Sequence, residues 1–189
     1  MSRIVAGPFN RVEGDLEITL ETGEDKVQRA EVNSPLYRGF ERILLGHKPM
    51  DALVYTPRIC GICSVTQSVA SARALADAMG LSMPKNGELC TNLVLASENI
   101  TDLITHFYLF FMPDFARDTY AGASWFGDIQ GRFKATAGSA ATQMLPARAD
   151  FLHLMGLMAG KWPHTLSLQP GGVAKAIEPK ERMRLLAIV

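Results

Sequence analysis

The sequence has few cysteines, no long apolar segment and no excess of either charge. Its 189 residues include only three cysteines, Cys60, Cys63 and Cys90, and an odd number is a poor basis for a disulfide framework. No apolar run approaches the roughly 18 residues that a membrane-spanning helix needs, so no direct membrane span is expected. Nineteen basic and nineteen acidic side chains balance each other, which disfavours nucleic acid as a partner, because nucleic acid selects a basic surface.

A secretory signal is also missing from the N-terminal residues, which lack an extended apolar region and a cleavage site. The expected location is therefore the cytoplasm, although a protein exported together with a partner would look the same. Hydrophobic residues make up 48% of the chain and charged residues 20%, which excludes a disordered protein and allows a sizeable core.

Two hydrophobic patterns predict an α+β fold, with an N-terminal antiparallel β-hairpin or sheet followed by a mainly α-helical bundle. The β-containing segment covers residues 1–48 and the helical segment residues 49–189. Residues 15–21 alternate polar and apolar side chains, and residues 27–32 can return as a second strand after a turn.

Apolar residues at helical spacing predict the helices of the second segment, and glycine and proline mark their ends. Along the helix over residues 86–111, Asn86 is the expected cap, Pro113 the expected stop, and one apolar stripe contains Leu89, Leu93, Ala96, Ile100, Leu103, Phe107 and Phe110. The other predicted elements are helices over 63–79 (closed by Gly80) and 148–158, a loop over 122–138, a turn at 170–172, and a helix that starts at Glu178 and Pro179.

The most informative local feature is a Cys-x-x-Cys pair, Cys60 and Cys63, at the start of a predicted helix. Two thiols at this spacing can bind one metal, and Gly61 between them permits a tight backbone path. The helix N-terminus and the adjacent Arg58 are expected to lower the pKa of the thiols. The pair alone leaves metal binding and redox exchange open, because zinc would need two further ligands and a thioredoxin-like motif needs a different context.

Two upstream motifs give the cysteine pair a context. Arg11-Val12-Glu13-Gly14 and Arg38-Gly39-Phe40-Glu41 would each be an ordinary turn if they stood alone. Together with Arg58-Ile59-Cys60-Gly61-Ile62-Cys63, in this order and spacing, they resemble the N-terminal part of the large subunit of nickel–iron hydrogenases. The segments at 96–99, 106–108, 160–164 and 170–172 agree with this resemblance.

The resemblance implies a nickel–iron centre that splits dihydrogen heterolytically. In this family two Cys-x-x-Cys pairs hold the metals, and the iron carries carbon monoxide and cyanide. Cys60 would be a terminal nickel ligand and Cys63 would bridge nickel and iron, with soft thiolates suiting nickel. Arg58 would act in catalysis through its positive charge beside the thiolates.

Further roles and partners follow from the same resemblance. Glu13 would relay the proton outward, Glu41 would be a ligand of a magnesium ion near the site, and His164 would face the nearest iron–sulfur cluster of a separate small subunit. Maturation proteins would install the iron ligands.

Two departures from the family pattern refine the prediction. Gln67 stands where most catalytic members have a histidine, and glutamine there resembles the hydrogen-sensing, regulatory branch, which signals to a histidine kinase. The second Cys-x-x-Cys pair is missing, and Cys90 is interpreted as a small buried hydrophobe. The chain is therefore expected to be an incomplete portion of one large-subunit domain.

The predicted function is that of a hydrogen sensor or an uptake hydrogenase. Two alternatives stay open, namely a non-catalytic hydrogenase-like subunit of a redox complex and a small metal-binding redox protein that uses the cysteine pair.

Overall fold

The structure is a computed structural model, and it describes residues 2–9 and 14–189. The chain forms two compact units, Met1–Gly39 and Phe40–Val189. The division between a β-containing and a helical part therefore falls before the first helix, whereas the sequence pattern suggested a boundary after residue 48.

The N-terminal unit is a three-stranded antiparallel sheet with the order β1-β2-β3, formed by β1 (Ser2–Phe9), β2 (Leu16–Gly23) and β3 (Lys26–Asn33). The predicted hairpin is confirmed as β2 and β3. Its two-residue loop, Glu24 and Asp25, has φ values of 53° and 58°, as a tight hairpin turn requires. The strand β1, which pairs Ile4 with Leu20 at the edge of the sheet, has no local sequence pattern that predicts it.

The second unit is mainly helical, and a two-stranded hairpin lies near its C-terminal end. The helices are α1 (Phe40–Ile43), α2 (Ala52–Tyr55), α3 (Ser64–Ala78), α4 (Lys85–His106), α5 (Met112–Phe115), α6 (Phe126–Phe133), α7 (Ser139–Ala159) and α8 (Pro179–Ile188). Short 3-10 turns cover Pro49–Asp51, Thr56–Arg58 and Asp118–Tyr120, and the hairpin consists of β4 (Leu168–Gln169) and β5 (Gly172–Val173). None of the described helices combines the length and the apolarity that crossing a bilayer demands.

The main core of this unit lies between α3, α4, α7 and β4. Its buried members are Val65, Val69, Val94, Leu154, Met155, Met158, Ala159 and Leu168. The β5 strand approaches α4 so closely at Gly87 that a Cβ atom there would lie 2.7 Å from the carbonyl oxygen of Gly171. This packing brings the chain after α7 back beside the start of α3.

Several predicted boundaries are confirmed. Helix α3 ends where Gly80 adopts a φ of 65°, and the predicted turn at 170–172 joins β4 to β5. Helix α8 starts at a capping box formed by Glu178 and Glu181.

The expected limits of α4 and α7 are wrong. Pro84 is the N-cap of α4, so Asn86 lies inside the helix. Pro113 does not end the helical segment, because a π-helical stretch, Phe107–Phe111, continues into α5. The proline occupies the first turn of α5, where no backbone N–H is needed. Helix α7 starts at Ser139, before the predicted position, and tolerates Pro146.

The predicted loop over 122–138 is also wrong, because α6 lies within it. Phe133 is buried against Ala116 and Ala140, and Ile129 packs on the same cluster. Tertiary burial of residues four apart thus outweighs the low helix propensity of Gly127 and Gly131.

Helix α4 buries a different face from the expected one. The apolar residues Leu89, Leu93, Ile100 and Leu103 are 44% to 68% exposed. The buried residues of the helix are Thr91, Val94, Ser97, Glu98 and Thr101. The exposed stripe borders an apolar groove between α4, α7 and α8. Of the buried residues, Glu98 contacts the head of α3, where the cysteine pair lies.

Candidate metal centre

The cysteine pair lies in the tight loop that leads into α3. Cys60 is buried and Cys63, the N-cap of α3, is partly buried. The backbone N–H of Cys63 donates to Sγ of Cys60 over 3.3 Å, and both thiols are free. The loop therefore folds the two cysteines back onto each other without joining them in a disulfide.

Gln67 contacts the second sulfur. It lies one helical turn after Cys63, and its Nε2 donates to Sγ of Cys63 over 3.7 Å. A side-chain amide at this position supplies a neutral hydrogen-bond donor whose charge does not change with pH.

The pKa of Cys63 is raised to about 11, so the expectation that the helix end and Arg58 would lower it is wrong. Burial is the largest cause, and the adjacent Cys60 side chain and the negative charge of Glu98 add to it, while the Gln67 hydrogen bond acts in the opposite direction. The Cys63 thiol is therefore protonated at neutral pH, and metal binding would release its proton.

Glu98 contributes to the raised pKa of Cys63, although burial is the largest cause. This glutamate of α4 is only 3% exposed, and its carboxylate lies against the first turn of α3. Oε1 accepts the backbone N–H of Val65 over 2.8 Å, and Oε2 accepts that of Thr66 over 2.9 Å. The first N–H groups of a helix have no acceptor within the helix, so Glu98 satisfies two of them and offsets the positive end of the dipole.

Sequence reasoning did not select Glu98 as a functional residue. Its position held a signal, because it follows Val94 by four residues and precedes Thr101 by three, which places it on a face with small polar residues. The opposite face of α4 is more apolar, so hydrophobicity alone predicts that this face is the buried one, which is wrong.

The segment after α7 completes the surroundings of Glu98. The indole Nε1 of Trp162 donates to Oε1 of Glu98 over 3.0 Å, and the Ser64 hydroxyl donates to the same oxygen over 3.4 Å. The guanidinium of Arg148 stacks on the Trp162 ring, 5.2 Å from its centroid, and its Nε donates to the Thr105 hydroxyl.

His164 holds the cysteine loop from the other side. Its backbone N–H donates to the Ser64 hydroxyl over 3.2 Å, and its Nδ1 lies 2.8 Å from the carbonyl oxygen of Pro57. A carbonyl can only accept, so Nδ1 carries a proton and donates it to Pro57. The φ of His164 is 63°, a conformation that non-glycine residues rarely adopt. Its ring lies beside Gly61, where an added Cβ would be 3.8 Å from Cε1.

The remaining predicted site residues are Arg58, Glu41 and Glu13. Arg58 ends the turn before the loop, and its Nη1 atom is buried. Glu41 is exposed on α1, and Glu13 lies outside the described residues. Within residues 2–9 and 14–189, no group of three His, Cys, Asp or Glu side chains is arranged to hold a metal ion.

The donor set fits part of a nickel–iron centre. Cys60 and Cys63 are two soft sulfur donors that lie close together, one buried and one partly buried, which is the ligand type that suits nickel. They provide two ligands. The other half of a four-thiolate site would have to come from elsewhere.

Comparison with known proteins agrees with this interpretation. Residues 38–123 match the family model described as nickel-dependent hydrogenase. The chain is 30% identical to the periplasmic [NiFeSe] hydrogenase large subunit of Desulfomicrobium baculatum, over 92% of this chain and 36% of that protein. It is 36% identical to the uptake hydrogenase large subunit of Bradyrhizobium diazoefficiens, over 56% of this chain and 18% of that protein.

The fold is similar to solved hydrogenase structures. The Ni-Fe-Se hydrogenase of D. vulgaris Hildenborough in its reduced state superposes with a TM-score of 0.75 and 29% identity, over 99% of this chain and 40% of that chain. The chain thus spans about two fifths of the length of this structural relative.

We expect W162F to lower the free energy of unfolding by about 1–3 kcal/mol, because it removes the indole donor to a buried carboxylate while keeping an aromatic ring. Urea denaturation followed by far-ultraviolet circular dichroism measures the change. The matched control is W125F, at an indole that is 41% exposed, where we expect less than about 0.5 kcal/mol. Equal losses in the two variants would contradict the importance of the Trp162 hydrogen bond.

Proposed function

We propose that the chain belongs to the nickel-dependent hydrogenase large-subunit family and that it carries the first thiolate pair of a nickel–iron hydrogenase. The observation that supports this most directly is the pair of free, adjacent thiols of Cys60 and Cys63 at the head of α3. When bound, the nickel–iron centre would supply the chemistry that cleaves dihydrogen into a proton and a hydride equivalent.

Cys60 and Cys63 would hold the metals in unequal roles. The buried Cys60 would bind nickel, and the partly buried Cys63 would bind both nickel and iron. Carbon monoxide and cyanide on the iron, installed by maturation proteins, belong to the same proposal. Arg58 would contribute a fixed positive charge beside these thiolates, since it ends the turn that precedes Cys60.

Three further residues receive proposed roles. Glu13 would accept the released proton and pass it outward, a task that suits a carboxyl group. Glu41 would bind magnesium, which prefers hard oxygen ligands. His164 would face an iron–sulfur cluster of the partner subunit, and the hydrogen bond from its Nδ1 to Pro57 supports this, because only Nε2 is left to contact another group.

The proposed partner is a small subunit that carries iron–sulfur clusters. The similar proteins are named large subunits or large chains, which supports a second, smaller subunit. Electrons would leave through that partner, since Cys90 is the only cysteine of this chain outside the pair and one thiol cannot hold a cluster. The cytoplasmic location stays a prediction, which cell fractionation would test.

Gln67 supports a regulatory, hydrogen-sensing role within the family. Its amide donates to Cys63 and cannot take up a proton, whereas a histidine at this position could. A sensing role would add a histidine kinase as a partner. A non-catalytic hydrogenase-like subunit is less favoured, because both thiols are present, and the family match argues against a small zinc or redox protein.

We expect C60S and C63S, made in the assembled hydrogenase, each to abolish nickel incorporation, because a hydroxyl is a poor ligand for nickel. Elemental analysis for nickel and iron is the measurement. The matched control is C90S, which changes the remaining cysteine and should leave the nickel content unchanged. Wild-type nickel in C60S or C63S would refute the ligand assignment, and zinc alone in the wild type would favour the small zinc protein.

We expect E13Q to slow hydrogen–deuterium exchange between dihydrogen and water by a factor on the order of 100 or more, since an amide cannot relay a proton. Nickel and iron should stay in place, which separates a loss of proton transfer from a loss of metal. Glu24, in the exposed β2–β3 turn, provides the control E24Q, which should exchange at the normal rate. An unaltered rate in E13Q would remove its proposed relay role.

The sensing and uptake roles predict different rates of hydrogen oxidation. A sensor should reduce an artificial electron acceptor slowly, and the rate should not fall in oxygen, whereas an uptake enzyme should turn over rapidly. The rate of dye reduction under hydrogen, with and without oxygen, is the measurement. Rapid turnover would exclude the sensing role while leaving the family assignment intact.

A further inference from the structure

Glu98 joins three parts of the helical unit that are distant in sequence. The carboxylate belongs to α4, four of its five hydrogen bonds come from residues 64–66 at the head of α3, and the fifth comes from Trp162. Residues 64–66 directly follow Cys63. Any displacement of the carboxylate would therefore move the backbone that carries this cysteine.

The head of α3 depends on an external cap because of the residue at its N-cap. Serine, threonine, aspartate and asparagine are favoured there, since their side chains accept the first backbone N–H groups. Here the N-cap is Cys63, and its side chain makes no capping hydrogen bond. A thiol that serves as a metal ligand is not available to cap, and Glu98 takes over that task from a neighbouring helix.

The same carboxylate places a negative charge beside the cysteine pair. All five of its hydrogen-bond donors are neutral groups, so they stabilise the charge without cancelling it. Glu98 is 3% exposed, and solvent therefore screens this charge only weakly. A fixed negative charge near a redox centre favours its oxidised, more positive state and lowers its reduction potential.

We propose that Glu98 is a positioning residue for the metal-binding cysteines, which holds the first turn of α3 and lowers the reduction potential of the centre bound by Cys60 and Cys63. This inference rests on the proposed function. It adds a residue from outside the cysteine motif to the determinants of the site.

The variant E98Q tests both parts of the inference. Glutamine keeps the size of the side chain and one acceptor oxygen, but its NH₂ group cannot accept the N–H of Thr66 and the charge is lost. In the 189-residue chain without metals, we expect the amide of Thr66 to exchange with deuterium about tenfold faster. In the assembled hydrogenase, we expect the potential of the nickel centre to become more positive, measured by a redox titration followed by electron paramagnetic resonance.

The matched control is E88Q. Glu88 lies on the same helix, but its side chain is 51% exposed and pairs with Lys85. E88Q removes one negative charge, as E98Q does, but ten residues earlier in the chain. It should leave both the amide exchange and the reduction potential unchanged. E98D keeps the negative charge, so its reduction potential should lie closer to the wild-type value than that of E98Q.

A second variant guards against a failure of E98Q to fold. W162F keeps the carboxylate and removes one of its neutral hydrogen-bond donors, so the negative charge of Glu98 acts more strongly on the metal centre. The reduction potential of the centre should therefore become more negative. Shifts of opposite sign in E98Q and W162F would support electrostatic tuning, since a purely structural role would not produce them.

The outcomes separate this inference from the proposed function. Faster amide exchange in E98Q with an unchanged potential would overturn the tuning role and reduce Glu98 to a helix cap. Unchanged exchange would overturn the positioning role. A wild-type assembly without nickel would overturn the proposed function and the redox part of this inference with it, while the amide exchange would still test the cap.

Discussion

The start of α3 depends on the hydrogen bonds that it makes with a buried carboxylate. A helix that begins with a cysteine has unsatisfied N–H groups at the position where it needs a capping side chain. Glu98 accepts two of these N–H groups, and in the low-dielectric interior such charge-assisted hydrogen bonds are stronger than neutral ones. Because the acceptor comes from α4, the conformation around Cys63 is determined by the packing of two helices and not by the loop alone.

The cysteine loop is held on its second side by the segment that follows α7. The Pro57 carbonyl and the Ser64 hydroxyl both bond to His164, and their sequence separations from it are 107 and 100 residues. Together with Trp162, which bonds to Glu98, this segment links the end of the helical core to its beginning. The two thiols are thus pre-organised by contacts spread over much of the unit. A Cys-x-x-Cys pair is weak evidence in a sequence because the motif itself contains none of these contacts.

Features determined by neighbouring residues could be predicted from the sequence, and features determined by distant ones could not. The β2–β3 hairpin, the end of α3 at Gly80 and the capping box of α8 each depend on residues a few positions apart. The strand β1 and the helix α6 depend on tertiary partners, which no local pattern reveals. Of the site, the sequence identified the cysteines, Gln67 and His164 as candidates. It did not reveal Glu98, because that depends on which face of α4 is buried. It also gave the wrong direction for the pKa of Cys63, because the burial of this thiol, the largest cause of the rise, depends on tertiary packing.

Helix α4 leaves its apolar stripe exposed, and this chain supplies only part of the ligand set of the proposed metal centre. Leu103 is 68% exposed, whereas Glu98 on the other face is 3% exposed, a pattern opposite to that of an ordinary surface helix. Two thiols are likewise half of the four that a nickel–iron centre of this family would take. A buried carboxylate is costly unless its hydrogen bonds are complete, and here they are complete within the chain. The described residues therefore pre-form the costly polar half of the site, and under the proposed function the remaining ligands would bind to a thiol pair that is already in place.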